Sequence, residues 1–258
     1  MRLLGLDSEI DAHGEVHGWM PVTDAIRTAD GSVRISAIAM LMDALGGLRS
    51  ITAADPDWAL TADLSIAMFA VPTTDVVGAD LHVRRRGRRT LVIEVDLTDT
   101  VTSIGHGLLT FSVVPRPERM AEVRIESTPG RRSMSGLDPD QPPTLDYIAE
   151  LGFTEHAPGH LSVDLRPEIT NTVLALHGGV HTAMAEEATA SLARHEMQAP
   201  AVVTDVHLAF MRLAHDGPIT ATAIPIGRAH DGRLTARVEL TDANGELCSM
   251  ATTTAVAP

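Results

Sequence analysis

Shifted against itself by 143 residues, the sequence lays Val95-Asp96-Leu97-Thr98-Asp99 over Val238-Glu239-Leu240-Thr241-Asp242. The same shift sets Asp43 on Glu186 and Thr61 on Thr204, each pair in an equivalent context. Solenoids and propellers repeat every ~20–50 residues, so a period this long means a duplicated domain. A chain of 258 residues is long enough for two such units, each with its own core.

Each copy reads in one order: an extended segment, a helix poor in charge, then four segments of alternating apolar residues. Strands are predicted at 14–22, 60–70, 78–84, 91–98 and 106–114, and again at 160–165, 201–213, 219–226, 234–241 and 247–256. Gly87-Arg88 and Ala243-Asn244-Gly245 supply hairpin-type turns. Between the copies, residues 115–143 carry Pro115, Pro117, Pro129-Gly130, Pro139 and Pro142-Pro143 with many charges, the composition of a linker. A short helix over 144–151 opens the second copy. The expected domains are therefore 1–114, a linker over 115–143, and 144–258.

The helix over 35–51 is apolar nearly all round, with Asp43 its only carboxylate, and such a helix is a buried one. The helix over 179–197 has a stripe of Val180, Ala183, Met184, Ala188 and Leu192 among small residues, which lets a sheet wrap it closely. The expected class is α+β: two copies of a central helix wrapped by a curved antiparallel sheet.

Several function classes drop out on composition. A formal charge of −14 repels phosphate backbones and anionic lipid, and 3% aromatic residues leave few platforms for stacking bases. Neither nucleic acid nor a membrane is an expected partner. At 44% hydrophobic and 21% charged, the chain is not a disordered one. The lone cysteine, Cys248, excludes an intrachain disulfide and a Cys-based zinc cluster, and it fits the cytoplasm. The start, Met1 to Asp7, meets an acidic residue too early for a signal sequence, and no apolar run approaches the length of a membrane span.

Asp43 lies among Met40, Leu41, Met42, Ala44 and Leu45, where ionisation is costly without a partner. Two readings stay open for it: an outward-facing or Arg-paired carboxylate, and a general base of raised pKa. His177-Gly178-Gly179 turns into the second helix, where glycines expose N–H groups at the positive end of the dipole, as an oxyanion hole requires. A plain glycine turn is the alternative. His177 and His181 have an i, i+4 chelating spacing but no His-Glu-x-x-His motif and no neighbouring cysteine, so no metal is expected.

Taken together, Asn171, His177-Gly178-Gly179 six residues on, Glu186 nine residues after His177, and Thr204 opening the next strand resemble the hotdog-fold acyl-CoA thioesterases of the phenylacetate and 4-hydroxybenzoyl-CoA type. The resemblance covers 160–256 directly and reaches 14–114 through the repeat, which implies a tandem, or double, hotdog. It implies that two hotdogs pair and share each site: one gives the Asn and the His-Gly loop, whose Gly N–H polarises a thioester carbonyl, and the other gives the helix carboxylate and the following Ser or Thr. Carried over, one site joins Asn171, His177 and Gly178 to Asp43 and Thr61. The other joins Glu186 and Thr204 to Thr28, Arg34 and Ile35; there Arg34-Ile35-Ser36 replaces His-Gly-Gly, so it looks degraded, with Arg34 expected to neutralise Glu186. If the geometry closed within one copy, Glu186 would be the catalytic group instead.

The resemblance implies hydrolysis of an acyl-CoA thioester, with Asp43 as base or nucleophile, and no cofactor, since CoA is part of the substrate. Arg84-Arg85-Arg86-Gly87-Arg88-Arg89 is the one basic cluster and a candidate clamp for CoA phosphates, or else solvated charge. Met40, Met42, Met184 and Met211 suit a flexible acyl chain and equally suit a core. The rivals are an acyl-carrier-protein thioesterase, a hydratase on the same architecture, and a non-catalytic acyl-CoA binder. Assembly into a homo-oligomer stays open.

Overall fold

A computed structural model of the chain describes residues 4–28, 30–118, 129–134, 145–171 and 173–257. In chain order the elements are β1 (Asp7–Ile10), β2 (Val16–Pro21), α1 (Ile35–Ala54), β3 (Trp58–Met68), β4 (Val76–Arg86), β5 (Thr90–Thr98), β6 (Ser103–Val114), β7 (Gly130–Ser133), α2 (Tyr147–Leu151), β8 (Thr154–Ala157), β9 (His160–Val163), α3 (Gly178–Met197), β10 (Val202–Phe210), β11 (Ile219–Pro225), β12 (Arg233–Thr241) and β13 (Leu247–Val256). The thirteen strands form one sheet in the order β7-β1-β2-β4-β5-β6-β3-β10-β13-β12-β11-β9-β8. The fold is a double hotdog, one long helix to each half of the sheet.

The repeat is visible element by element. α1 and α3 start 143 residues apart and each runs 20 residues, and β5 and β12 match at both ends under the same offset. Even the loops entering the helices agree, closed by isolated bridges Arg27–Val33 and Thr170–Leu176. Period-2 alternation builds the strands: β5 and β12 bury Leu91, Ile93, Val95 and Leu97, and Leu234, Ala236, Val238 and Leu240, on the helix side. α1 packs so closely on its sheet that a Cβ on Gly46 would stand 2.3 Å from Leu109 Cδ1.

The halves meet along β3 and β10, paired antiparallel from Asp63–Ala209 to Ala67–Asp205, with His207 Nε2 2.6 Å from Asp63 Oδ2 across the seam. β3 is irregular against β6 between Thr61 and Asp63, and β10 against β13 between Val203 and Asp205, so each copy carries a bulge, the two one residue out of step under the repeat offset.

Four differences from the sequence reading stand out. The short strands β1 and β8 were not expected; they hold too few residues to show an alternation. Within the stretch read as linker, Gly130–Ser133 is β7, pairing with β1 at the sheet edge, while 119–128 and 135–144 lie outside the described residues. The helix read over 144–151 is observed as Tyr147–Leu151, with Asp146 accepting from the Ala149 N–H as its cap. By length and composition α1 is long and apolar enough to cross a membrane, contrary to the expectation that no run approached that length. Most of its apolar window is buried in this fold as a core helix.

Candidate functional site

α1 and α3 lie side by side and antiparallel, offset so that the first turn of each meets the middle of the other. Ile35 and Ser36 of α1 reach Glu186 of α3, and Gly178 of α3 stands against Asp43 of α1. Two carboxylates from opposite repeats thus face two helix N-termini, where unpaired N–H groups and the dipole favour negative charge.

At the Asp43 end, Thr61 Oγ1 donates to Asp43 Oδ1 at 3.3 Å and His177 Nδ1 lies 3.2 Å from Oδ2. The His177 and Asp43 side chains are 14% and 12% exposed, so the pair is shielded but reachable. A Cβ on Gly178 would stand 2.6 Å from Asp43 Oδ2, and one on Gly179 2.8 Å from Met40 Cα. The two glycines are therefore required for α3 to begin on top of α1, whatever else they do. His177 is the N-cap of α3, its Nδ1 accepting from the Gly179 N–H at 3.2 Å. One ring nitrogen cannot accept from Gly179 and also donate to Asp43, so these contacts compete for Nδ1. Burial pushes the His177 pKa down, partly opposed by Asp43, which leaves a neutral ring. The Gly178 N–H meets no acceptor among the described residues.

Asn171 fixes the loop that delivers His177. Its Oδ1 accepts from the N–H groups of Val173 and Ala175 at 3.0 and 3.1 Å, and the His177 N–H donates to Ile169 O at 2.9 Å. The amide oxygen of Asn171 is thus engaged in shaping the turn.

The Glu186 end is built differently. Glu186, only 1% exposed, accepts from the Ile35 N–H (3.2 Å), the Ser36 N–H (3.1 Å) and the Ser36 hydroxyl. Arg34, the N-cap position of α1, gives no side-chain cap, so the opposite repeat caps this helix. Burial raises the Glu186 pKa to about 7, against the opposing pull of Arg34. The expected ion pair is corrected: Arg34 Nη1 pairs with Glu187 Oε1. Glu186 turns to the backbone amides of α1, and the next carboxylate round α3 takes the guanidinium. Thr204 does not reach Glu186 either; its hydroxyl donates to Asp205 Oδ2 at 2.7 Å, and Thr28 donates to Asp30 and to Ser32 O. A cleft of ≈ 140 Å³ opens here, lined by Arg34, Glu186, Glu187, Arg194 and Ala201 among others. Under the repeat, the place of Ala201 is taken in the first copy by Trp58, buried beneath Arg116.

The arginine cluster divides. Arg84 pairs with Glu94, and Arg86 donates to Ala53 O (2.9 Å) and Ala54 O (3.3 Å), closing the carbonyl end of α1. Arg85, Arg88 and Arg89 are exposed at the hairpin tip. His181 is buried and neutral, its pKa lowered to about 3 by burial and His177, with Nδ1 2.8 Å from Ser249 Oγ and Phe210 edge-on at 5.3 Å. Among the described residues, no three His, Cys, Asp or Glu gather as metal ligands.

Sequence reasoning missed Glu187, the capping role of Ser36, and Tyr147, a fully buried tyrosine from α2 whose hydroxyl has no partner at ordinary hydrogen-bond geometry among the described residues. Burial pushes its pKa up, with the charge of Glu186 adding to the effect. The repeat offset could have flagged Ser36, since it stands where the other copy has Gly179.

Residues 175–249 match the family model of the thioesterase superfamily. Among solved structures, a candidate thioesterase from Novosphingobium aromaticivorans is 13% identical, with 97% of this chain and 98% of that chain covered and a TM-score of 0.67. The 12:0-ACP thioesterase from Umbellularia californica is 11% identical, with 94% of each covered and a TM-score of 0.63. A hotdog-fold protein of unknown function from Alicyclobacillus acidocaldarius is 13% identical over 94% of each, with a TM-score of 0.53. At such identities these likenesses carry the fold. No curated protein matches the chain.

Proposed function

We propose that this double hotdog, whose second repeat carries the thioesterase superfamily pattern, hydrolyses acyl-CoA thioesters at the Asp43 end of its helix pair. Thioester hydrolysis is the general chemistry that the superfamily match supports. The observation that carries the reading is the meeting of Asp43 from the first repeat with His177 and Gly178 from the second.

The thioester carbonyl oxygen points at the Gly178 N–H, which has no acceptor among the described residues, and the α3 dipole favours the charge that develops there. Asp43 supplies the attack, either by taking a proton from water or by adding to the carbonyl as a transient anhydride. Thr61 holds one carboxylate oxygen and leaves the other toward the substrate. On the water route the C–S bond then breaks, and the thiolate leaves with the electron pair and takes the proton held by Asp43. On the anhydride route the thiolate leaves as the Asp43–acyl anhydride forms, and a water then cleaves that anhydride to the free acid, restoring the carboxylate and supplying the proton to the thiolate. Neutral His177 adds no charge to compete with Asp43, and Asn171 keeps its loop in register.

CoA is favoured as the thiol by the arginine hairpin. From Asp43, α1 runs to Ala54, ~16 Å at 1.5 Å per residue, and there Arg86 ties the hairpin to its end. A phosphate-bearing arm that left the site along α1 would meet the exposed Arg85, Arg88 and Arg89. A carrier-protein thioester offers the same arm without the nucleotide, and a non-catalytic binder would hold CoA without turnover.

Steady-state hydrolysis across acyl-CoA and acyl-carrier thioesters tests the proposal. Asp43→Asn is expected to lower kcat ~10²–10⁴-fold while CoA affinity is kept. A fully active variant overturns the assignment, and tight CoA binding without wild-type turnover selects the binder.

A further inference from the structure

The loops that enter α1 and α3 are one turn built twice. In each, the tip N–H bonds back three residues, Gly31 to Thr28 O and Leu174 to Asn171 O, and the residue closing the loop donates to the same partner position, Arg34 to Ile26 O and His177 to Ile169 O. Gly31 has φ +88°, a conformation natural to glycine; its counterpart Leu174 holds φ +62°. A bulky residue in the left-handed region carries a backbone cost, and the first repeat shows that the turn needs no side chain there. Burial does not offset that cost, because Leu174 is 74% exposed.

Two more exposed apolar side chains share this edge. Met211 and Leu213 are 51% and 39% exposed on the segment leaving β10. That segment is tied to the loop by Leu176 N–H to Ala214 O at 2.9 Å and by His215 Nδ1 at 3.2 Å from Leu174 O. The β3–β10 pairing ends at Asp63–Ala209, two residues from Met211 on one strand and two from Thr61, which holds Asp43, on the other. An apolar rim therefore borders the site on the α3 side; the segment leaving β3 exposes Phe69 and Val71 in the same way, so Leu174 in place of Gly31 is what sets the two ends apart.

We infer that Leu174, with Met211 and Leu213, contacts the pantetheine arm of the thioester, whose branched dimethyl carbons are its apolar part. The inference rests on the reaction proposed for the Asp43 end and names the part of the substrate that is gripped there. Leu174 is a specificity-determining residue: it binds the arm equally in ground and transition states and leaves the chemical step alone. Pantetheine reaches such a site from CoA or from a carrier protein, and both present the same dimethyl carbons.

Leu174→Gly copies the first repeat and removes the backbone cost, so the variant folds with a Tm equal to or above wild type. Calorimetric titration with CoA and with pantetheinylated carrier protein, and hydrolysis of an acyl-CoA against the same acyl group on N-acetylcysteamine, read the effect. The expected result is a rise of about tenfold in the Kd and KM of the pantetheine ligand with kcat unchanged, and no change on N-acetylcysteamine, which lacks the dimethyl carbons. Binding of the carrier alone, weakened by the variant, assigns the arm to that source. Unchanged Kd and KM, equal losses on both thioesters, or no wild-type binding of either pantetheine ligand overturns the inference. If Asp43→Asn stays active while Leu174→Gly weakens CoA binding, the catalytic assignment fails and the rim stands. If Asp43→Asn is inactive and Leu174→Gly binds CoA as wild type does, the rim alone fails.

Discussion

The two ends of the helix pair start from the same plan and use it oppositely. Where α1 begins, the Ile35 and Ser36 amides are spent on Glu186, and a buried carboxylate becomes the cap of a helix in the other repeat. Where α3 begins, the cap comes from within, from His177, and the facing carboxylate is held to one side by Thr61. The difference lies in what occupies the amides. A side chain that accepts from them locks the halves together, and a side chain held off them leaves an N–H for a ligand. The same architecture thus yields a structural joint at one end and a candidate reaction centre at the other.

Exchanging the two carboxylates for amides is the harshest way to break that contrast. Glu186→Gln is expected to change kcat by less than ~3-fold, against the ~10²–10⁴ assigned to Asp43→Asn as an acid–base group; equal losses in steady-state assays would mean that both ends are catalytic. Next comes Gly178→Ala, whose Cβ must push Asp43 Oδ2 from its 2.6 Å approach. Because alanine keeps the N–H, the loss comes from a displaced carboxylate: kcat should fall ~10²-fold, with a lower Tm where α3 rests on α1. The mirror change, Ile35→Ala, should cost ~2–5 kcal/mol of stability by emptying buried volume and leave the kcat of the folded protein unchanged.

Stability against pH sharpens the comparison further. Glu186 binds its proton more tightly in the fold, at about 7 against an ordinary 4.5. Its contribution to stability is therefore full below pH ~4.5 and lost as pH rises through ~7, a fall of about 3 kcal/mol. Urea unfolding at stepped pH should show this slope in wild type and a flatter one in Glu186→Ala, which is weaker overall through its orphaned amides. The smallest effect is expected at the hairpin. Replacing Arg85, Arg88 and Arg89 together by Ala should raise the KM for acyl-CoA by about 3–10-fold, less so at high salt. An unchanged KM would reduce these residues to solvated charge.

The duplication, the helices and most strands were legible because alternation and apolar faces recur at a fixed offset, as β5 and β12 show end to end. The pairing of Asp43 with His177 and Gly178 came from the family resemblance, since no spacing in one chain announces which carboxylate meets which loop. What escaped was local geometry. Arg34 reaches Glu187 because Glu186 is already satisfied by two amides, and a sequence does not show which way each of two adjacent carboxylates turns. β7 escaped because four residues, Gly-Arg-Arg-Ser, carry no alternation and are held by their partner β1.

The seam between β3 and β10 has an evolutionary corollary. In an assembly of two identical subunits joined along such strands, every substitution appears twice, so neither interface position can change without its twin. Placing both halves on one polypeptide breaks that bond: Leu174 can depart from Gly31, and Ile35 from Gly178, each alone. Covalent linkage also keeps the halves at high mutual concentration, so specialisation of one end need not weaken association.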